Sequence, residues 1–202
     1  LTILTPVPDI QVTDSVDPAG DLLVNFGSVV DDGRSNAIST RSVTIANVGK
    51  ASLSVLQNGV ALSGGTHYRI ESIYSSLQDF ISLSSGAQTL ASNGRETWLV
   101  TLVFDPTTTG TVNDVLSIAS DDPDEALVQV SLTGVGLAVP DVAVDRPSVE
   151  FGPCSADGSG LRGVERVVQL RNEGSGLLTI SQNGIGLISG TNFSLVSITS
   201  SV

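Results

Sequence analysis

Cysteine occurs once, at Cys154, so no disulfide can close within the chain. Cysteine use therefore leaves the redox compartment open. Histidine and lysine also occur once each, at His67 and Lys50, and methionine is absent. A Ser-His-Asp or Cys-His arrangement would have to be built on His67 alone, and the repeat described below replaces that histidine by Asn192. Cys154 reads as structural or incidental. The nine basic residues face 21 acidic ones, a net charge of −12. That balance argues against nucleic acid, whose phosphates need clustered Lys and Arg, and against an anionic membrane surface. No apolar run reaches the roughly 18 residues of a membrane-spanning helix. Leu1, Thr2, Ile3, Leu4 and Thr5 open the chain without the basic start of a secretory signal. These features suit a mature or internal piece of a longer protein.

What is present is apolar residues at 40% and 21 glycines, with charged residues at only 15%. Such a chain can bury real cores and has many places to turn. Its strongest signal is a repeat. Phe26–Ser76 and Phe151–Ser201 align without a gap at a shift of 125 residues, with 19 identities in 51 positions. Many differences keep physical character, among them Ile45 to Leu170, Val55 to Ile180 and Tyr68 to Phe193. A long repeat at fixed period means one domain type used at least twice.

Taken in order, residues 1–7 form a β-prone lead strand or linker. Pro8–Thr13 alternates apolar and polar as a half-buried strand does, and Leu22–Phe26 returns to strand after a turn-rich insertion. Arg41–Ala46 is a strand closed by Asn47-Val48-Gly49. Ser52–Leu56 runs back to Asn58-Gly59, a pair that tolerates positive φ and signals a tight type I′ turn; Asn183-Gly184 repeats it. His67–Ser72 is a strand, with Phe80–Leu83 as a short further one. Thr97–Phe104 is the most apolar run and suits the middle of a sheet, with Trp98 in the core. Asn113–Ser120 and Leu127–Leu132 complete the set, the last ended by Gly134 and Gly136. Ser189-Gly190 and Gly64-Gly65 are turn glycines, since no helix pattern follows them. About eight short strands and no amphipathic helix predict an all-β fold of tandem immunoglobulin-like β-sandwich repeats. The first repeat spans 8–139. The second spans 140–202, with the N-terminal half of a sandwich only. The short Val139-Pro140 link restricts swing between them and favours a rod.

Pro8-Asp9-Ile10 with Val12, Phe26-Gly27, Val43 to Gly49, Phe104 to Gly110, Ile118 to Pro123 and Val130 to Gly136 fall in a recognisable order. That order resembles the bacterial choice-of-anchor D repeat domains, related to the ASH (abnormal spindle/hydin) and PapD-like immunoglobulin folds. The resemblance covers Pro8–Val139 and the first half of a second unit. It implies tandem arrays on secreted or surface-attached bacterial proteins, a spacer, adhesive or assembly role, and no catalytic residues.

Half a sandwich would expose its core and unpaired strand edges. Either the chain continues beyond Val202, or another strand completes the fold; Leu1, Thr2, Ile3, Leu4 and Thr5 are the candidates for strand addition. Asp121, Asp122, Asp124 and Glu125 are the densest acidic group and the candidate calcium ligands, although their spacing is not that of an EF-hand and turns alone favour Asp and Pro. Otherwise no cofactor is expected. Asp31–Asn36 is a second candidate ligand loop. Asn192-Phe193-Ser194 is a formal glycosylation sequon. The functional expectation is a non-enzymatic extracellular or cell-surface structural protein, part of a stalk, filament or adhesin. Its expected partners are further copies of itself or neighbouring repeats, with no nucleic acid and no membrane insertion. The alternatives are a binding module (an adhesin tip or a strand-docking PapD-like module) and an accessory array of a larger secreted enzyme.

Overall fold

Alternation decides the architecture. From Asp114 to Ser120 every second side chain is buried, Leu116 and Ile118 completely. One face of a strand lying on a core produces this pattern. The computed structural model describes residues 5–31, 37–77, 80–153, 164–181, 183–189 and 192–200. Among them there is no helix, and hence none long and apolar enough to cross a membrane. The chain divides into two units, Leu1–Val139 and Pro140–Val202.

The first unit holds β1 (Ile10–Asp14), β2 (Leu23–Asp31), β3 (Ser39–Asn47), β4 (Leu53–Leu62), β5 (Tyr68–Ser75), β6 (Gln88–Leu90), β7 (Thr97–Phe104), β8 (Gly110–Ser120) and β9 (Leu127–Ala138). They form two sheets, ordered β1-β3-β7-β5 and β2-β9-β8-β4-β6. Every pairing is antiparallel except β2 with β9. The inner faces meet in one core that includes Val24, Phe26, Ile45, Leu53, Trp98, Leu102, Leu116 and Leu132. Two sheets in these strand orders make an immunoglobulin-type sandwich. Burying each large apolar side chain contributes about 1.5–3 kcal/mol. Three rings close one end of the core: Phe26 lies edge-on to Tyr68 at 5.3 Å, and Tyr68 stacks on Phe104 at 4.8 Å.

The central position of β7 is as its apolar run predicts, between β3 and β5 with Trp98 fully buried. Other expectations need correction. Asn58-Gly59 does not turn a hairpin. It lies inside β4, where the pairing to β8 slips between Val55 opposite Ser120 and Val60 opposite Ile118. Only Asn58 takes positive φ, at 53°, whereas a type I′ turn needs both residues there. The pair is therefore a bulge. Gly59 is required because a Cβ would stand 2.7 Å from the Ala119 carbonyl of the neighbouring strand. Phe80–Leu83 is no strand; β6 falls at Gln88–Leu90, although Ile81 and Leu83 are still buried. Gly134 and Gly136 do not end β9 but continue it. Gly134 leaves space for the Phe104 ring, which a Cβ would meet at 2.6 Å.

The second unit contains β10 (Val142–Val144) and β11 (Leu170–Asn172), paired antiparallel. Val142 stands opposite Asn172, as Ile10 stands opposite Asn47 in the first unit. Phe151 and Phe193 pack at 5.2 Å, in the places that the repeat gives to Phe26 and Tyr68. Arg166 donates from Nε to the Glu150 carbonyl at 3.2 Å; Arg41 does the same to Asn25 at the same distance. Asn58 and Asn183 share left-handed φ values of 53° and 64°. The lead residues Leu1–Leu4, the Asp32–Asn36 part of the loop and Cys154 lie outside the described residues.

Candidate functional site

The acidic residues singled out from sequence occupy the turn between β8 and β9, which Pro123 helps to close. Asp121 faces β4: its amide donates to the Ser54 carbonyl at 3.0 Å, and its Oδ1 accepts from the Ser54 amide at 2.7 Å. Asp122 is buried. Its Oδ2 accepts from the Ile10 amide at 2.6 Å, at the start of β1, and its Oδ1 accepts from the amides of Asp124 and Glu125 at 3.2 and 3.4 Å. Two adjacent carboxylates thus clasp β1 and β4 to the β8–β9 turn. Burial, the largest influence on Asp122, pushes its carboxyl up, but these backbone hydrogen bonds and one from the Asp124 side chain together hold it below the ordinary range. Asp124 moves the other way, raised by its hydrogen bond to Asp122 and then by the charge on Asp122.

The structure also brings in a residue the sequence did not suggest. Carboxylate oxygens of Asp9, Asp122 and Glu125 lie within 4.8 Å of one another. Asp9 is 113 positions from Asp122 in sequence and arrives only through β1 pairing (122 − 9 = 113). Three carboxylates at that separation are a donor set a hard divalent cation accepts. Both oxygens of Asp122 already receive backbone amides, however, so an ion would compete with the clasp. Asp121, turned to β4, and Asp124 are not in this set.

Two further carboxylates are buried inside the first unit. Glu96 Oε1 accepts from Ser75 Oγ at 2.5 Å and from Trp98 Nε1 at 3.1 Å, and Oε2 accepts from the Ala91 amide at 3.1 Å. Asp114 accepts from the Ser63 hydroxyl and from the amides of Ser63, Gly65 and Val115. For both, burial pushes the carboxyl up and the hydrogen bonds more than reverse it, so both are held below the usual carboxylate range. Tyr68 donates to the Val112 carbonyl at 2.8 Å; burial, and then the Asp114 charge, push its phenol up to about 12. The only signal for Glu96 in the sequence is a charge directly before the most apolar strand, next but one to a tryptophan. These groups hold loops to strands rather than face a cleft.

His67 does the same: its Nδ1 accepts from the Thr107 amide at 3.1 Å and lies 3.2 Å from the Thr107 hydroxyl, pinning the β7–β8 connection. No carboxylate partner for His67 occurs among the described hydrogen bonds. A depression of about 660 Å³ lies on the outer face of the β1-β3-β7-β5 sheet, lined by Thr40, Arg41, Leu99 and Asp17 among others. It holds one acid and one base of opposite sign, not the paired carboxylates of a glycosidase. Of the strand-addition candidates, Thr5 is exposed and in no strand. Beyond it, the Val7 carbonyl accepts from Lys50 and Ala51 at 2.9 and 3.1 Å, tying the lead to its own unit.

The feature shared by both units is an asparagine clasp. Asn47 ends β3 and is fully buried. Its Oδ1 accepts from the amides of Asp9 and Gly49 at 3.3 and 3.1 Å; its Nδ2 donates to the carbonyls of Ala51 and Leu90 at 2.8 and 3.2 Å. Every donor and acceptor of the amide is used. Asn172 repeats this at the end of β11. Its Oδ1 accepts from Asp141 and Gly174, each at 3.1 Å, and its Nδ2 donates to the Gly176 carbonyl at 2.6 Å. The backbone follows: Val48 donates to the Asp9 carbonyl at 2.8 Å and Glu173 to the Asp141 carbonyl at 2.7 Å.

No protein-family model matches the chain, and no curated protein matches it significantly. Solved structures do resemble it. A protein of unknown function from Porphyromonas gingivalis W83 is 14% identical over 64% of this chain, with a TM-score of 0.41; the match spans 46% of that protein. The ASH / PapD-like domain 7 of human CEP192 is 13% identical, covering 67% of this chain and 90% of that domain, TM-score 0.38. A family 123 glycoside hydrolase from Clostridium perfringens is 7% identical over 65% of this chain and 27% of its own, TM-score 0.43. At such distances none of these likenesses speaks to activity.

Proposed function

We propose that the chain is a tandem pair of immunoglobulin-like modules with a non-enzymatic structural role, in a stalk, filament or surface adhesin outside the cell. The observation that carries the tandem reading is the repeated clasp: three of the four hydrogen bonds of the Asn47 side chain recur at Asn172 on corresponding backbone groups, with the same strand register beside them. Repeats of one module joined by short linkers are how chains build long, stiff spacers. The ionisable groups of the first unit support the non-enzymatic part. Glu96, Asp114, Asp122 and His67 are each occupied by hydrogen bonds that fix loops, and none pairs with a nucleophile aimed at a cleft. The net charge of −12 suits a surface exposed in a crowded exterior, where it limits non-specific association. The order of motifs that resembles choice-of-anchor D domains favours the extracellular setting.

The test is surface accessibility in the organism that encodes the chain. Antibody raised against residues 8–139 binds intact cells or the culture medium if the reading holds. An epitope exposed only by lysis overturns the extracellular role.

A further inference from the structure

Most aromatic side chains of the first unit lie in its core: Phe26, Tyr68, Trp98 and Phe104 are all buried. Tyr74 and Phe80 are the exceptions. They are 49 and 61% exposed, and their rings meet edge-on with centroids 5.9 Å apart. Strand register places them. Trp98 and Val100 point into the core, so Leu99 points out, and its partner on β5 is Tyr74. Leu99 is exposed as well. The rest of this outer face is mostly hydroxyls. Thr13, Thr40, Ser42, Thr44, Thr97 and Thr101 point outward from β1, β3 and β7, and no outward position of those strands carries a charge. Soluble surfaces are commonly about a quarter to a third charged, so this face is set apart. One row runs Thr13, Thr44, Leu99, Tyr74 across all four strands, about 14 Å at the usual strand spacing. The depression of about 660 Å³ adjoins that row, and Leu99, Thr101, Ser42, Asp17 and Arg41 are among its lining residues.

We propose that this face of the first unit binds a neutral polysaccharide. Sugar rings have apolar C–H faces and hydroxyl edges. Tyr74 and Phe80 offer a platform to the faces; Ser42, Thr44 and Thr101 meet the edges, each hydroxyl able both to donate and to accept. An acidic polymer is repelled by the net charge of −12 and finds no cluster of Lys or Arg here. Arg69, the cation on β5, is already held by Glu71 and Asp105 at 3.0 and 3.4 Å. A protein partner would meet hydroxyls where the core of an interface needs apolar side chains. Asp17 and Arg41, one of each sign, stand at the depression, where a few polar groups fix the direction of a bound sugar chain. The Tyr74–Phe80 contact also supports the turn after β5, where the Ile81 amide donates to the Ile73 carbonyl at 2.9 Å, so binding and stability have to be read separately. This inference rests on the first unit alone, and on neither the tandem reading nor the extracellular role.

The test is affinity electrophoresis of the whole 202-residue chain through native gels containing hydroxyethyl cellulose, glucomannan or dextran, with polygalacturonate as the anionic control. Retardation that rises with polymer concentration is expected in at least one neutral gel, and none with polygalacturonate. The double variant Tyr74→Ala with Phe80→Ala weakens binding by at least about tenfold, as loss of an aromatic anchor does. Tyr74→Phe keeps the ring and keeps binding. Thr101→Glu leaves both rings in place and abolishes binding, because its charge would be buried under the sugar. Urea titrations followed by the buried Trp98 show that each variant is folded at the start of the assay; if the double variant is not, Thr101→Glu decides. No retardation in any neutral gel, equal retardation by polygalacturonate, or binding undiminished in Thr101→Glu overturns the proposal. So does a dimer in sedimentation that Thr101→Glu dissolves, which would make a second copy the occupant of the face. None of these failures alters the surface-accessibility result.

Discussion

Replacing Asn47 by alanine separates a clasp from a mere core filler. The substitution removes four hydrogen bonds. Two of the partners, the Gly49 amide and the Leu90 carbonyl, are in buried surroundings and would be left without a partner. The Asp9 amide and Ala51 carbonyl are only partly buried, so water replaces much of what they lose. An orphaned buried group costs about 1–3 kcal/mol, so the expected loss is about 3–4 kcal/mol in all. Asn47→Asp is the sharper variant. It keeps the shape and the acceptor but turns two donors into a carboxylate facing two carbonyls. Burial and those carbonyls raise the carboxyl's folded pKa above its unfolded one, so its deficit shrinks on acidification. Trp98, the single tryptophan and fully buried in the same unit, reports the transition by fluorescence in a urea titration. A loss below about 1 kcal/mol for Asn47→Ala would refute the clasp, since that is within the range of one ordinary hydrogen bond. So would an Asn47→Asp deficit that does not change between pH 7 and pH 4.

Other consequences are simpler. Gly134→Ala places a Cβ 2.6 Å from the Phe104 ring, which is itself stacked on Tyr68 and cannot swing away cheaply. The expected cost is about 1–3 kcal/mol in the same urea assay, and no measurable change would mean β9 is not held against Phe104. Stability should fall in acid. Glu96, Asp114 and Asp122 have folded values below their ordinary 4.5, 3.8 and 3.8, so their contribution is complete above that range and is lost as pH falls through the folded values. Tyr68 has the opposite sign: its contribution is complete below pH 10 and is lost as pH rises towards about 12. Urea midpoints from pH 7 to 2 and from pH 9 to 12 check both arms; a flat acid arm contradicts the carboxylate geometry.

The strands that were plain in the sequence are those with one face on the core, where alternation is enforced by burial. Thr97–Phe104 matched its run of apolar residues to the end. Asn58-Gly59 misled because positive φ serves a bulge as well as a hairpin, and only the neighbouring Ala119 carbonyl, distant in sequence, shows which. Gly134 looked like a strand end for a similar reason: its cause is the Phe104 ring thirty residues earlier (134 − 104 = 30). The acidic turn was visible as composition, but its work on Ile10 and Ser54, and the approach of Asp9, depend on strand pairing that no local pattern records. In the second unit the repeat marks Val168, Leu170 and Phe193 as counterparts of the buried Val43, Ile45 and Tyr68, and only the structure shows that they are exposed.

The direct test of the two units as one module is amide hydrogen exchange at the paired clasps, followed by NMR on the whole chain. The amides of Gly49 and Gly174 both donate to an asparagine Oδ1 at 3.1 Å. Equivalence predicts protection at both, with Gly174 the weaker because its surroundings are exposed. It further predicts selective loss at Gly49 in Asn47→Ala and at Gly174 in Asn172→Ala. A Gly174 amide that exchanges as fast as an unfolded chain, or that does not respond to Asn172→Ala, would contradict it.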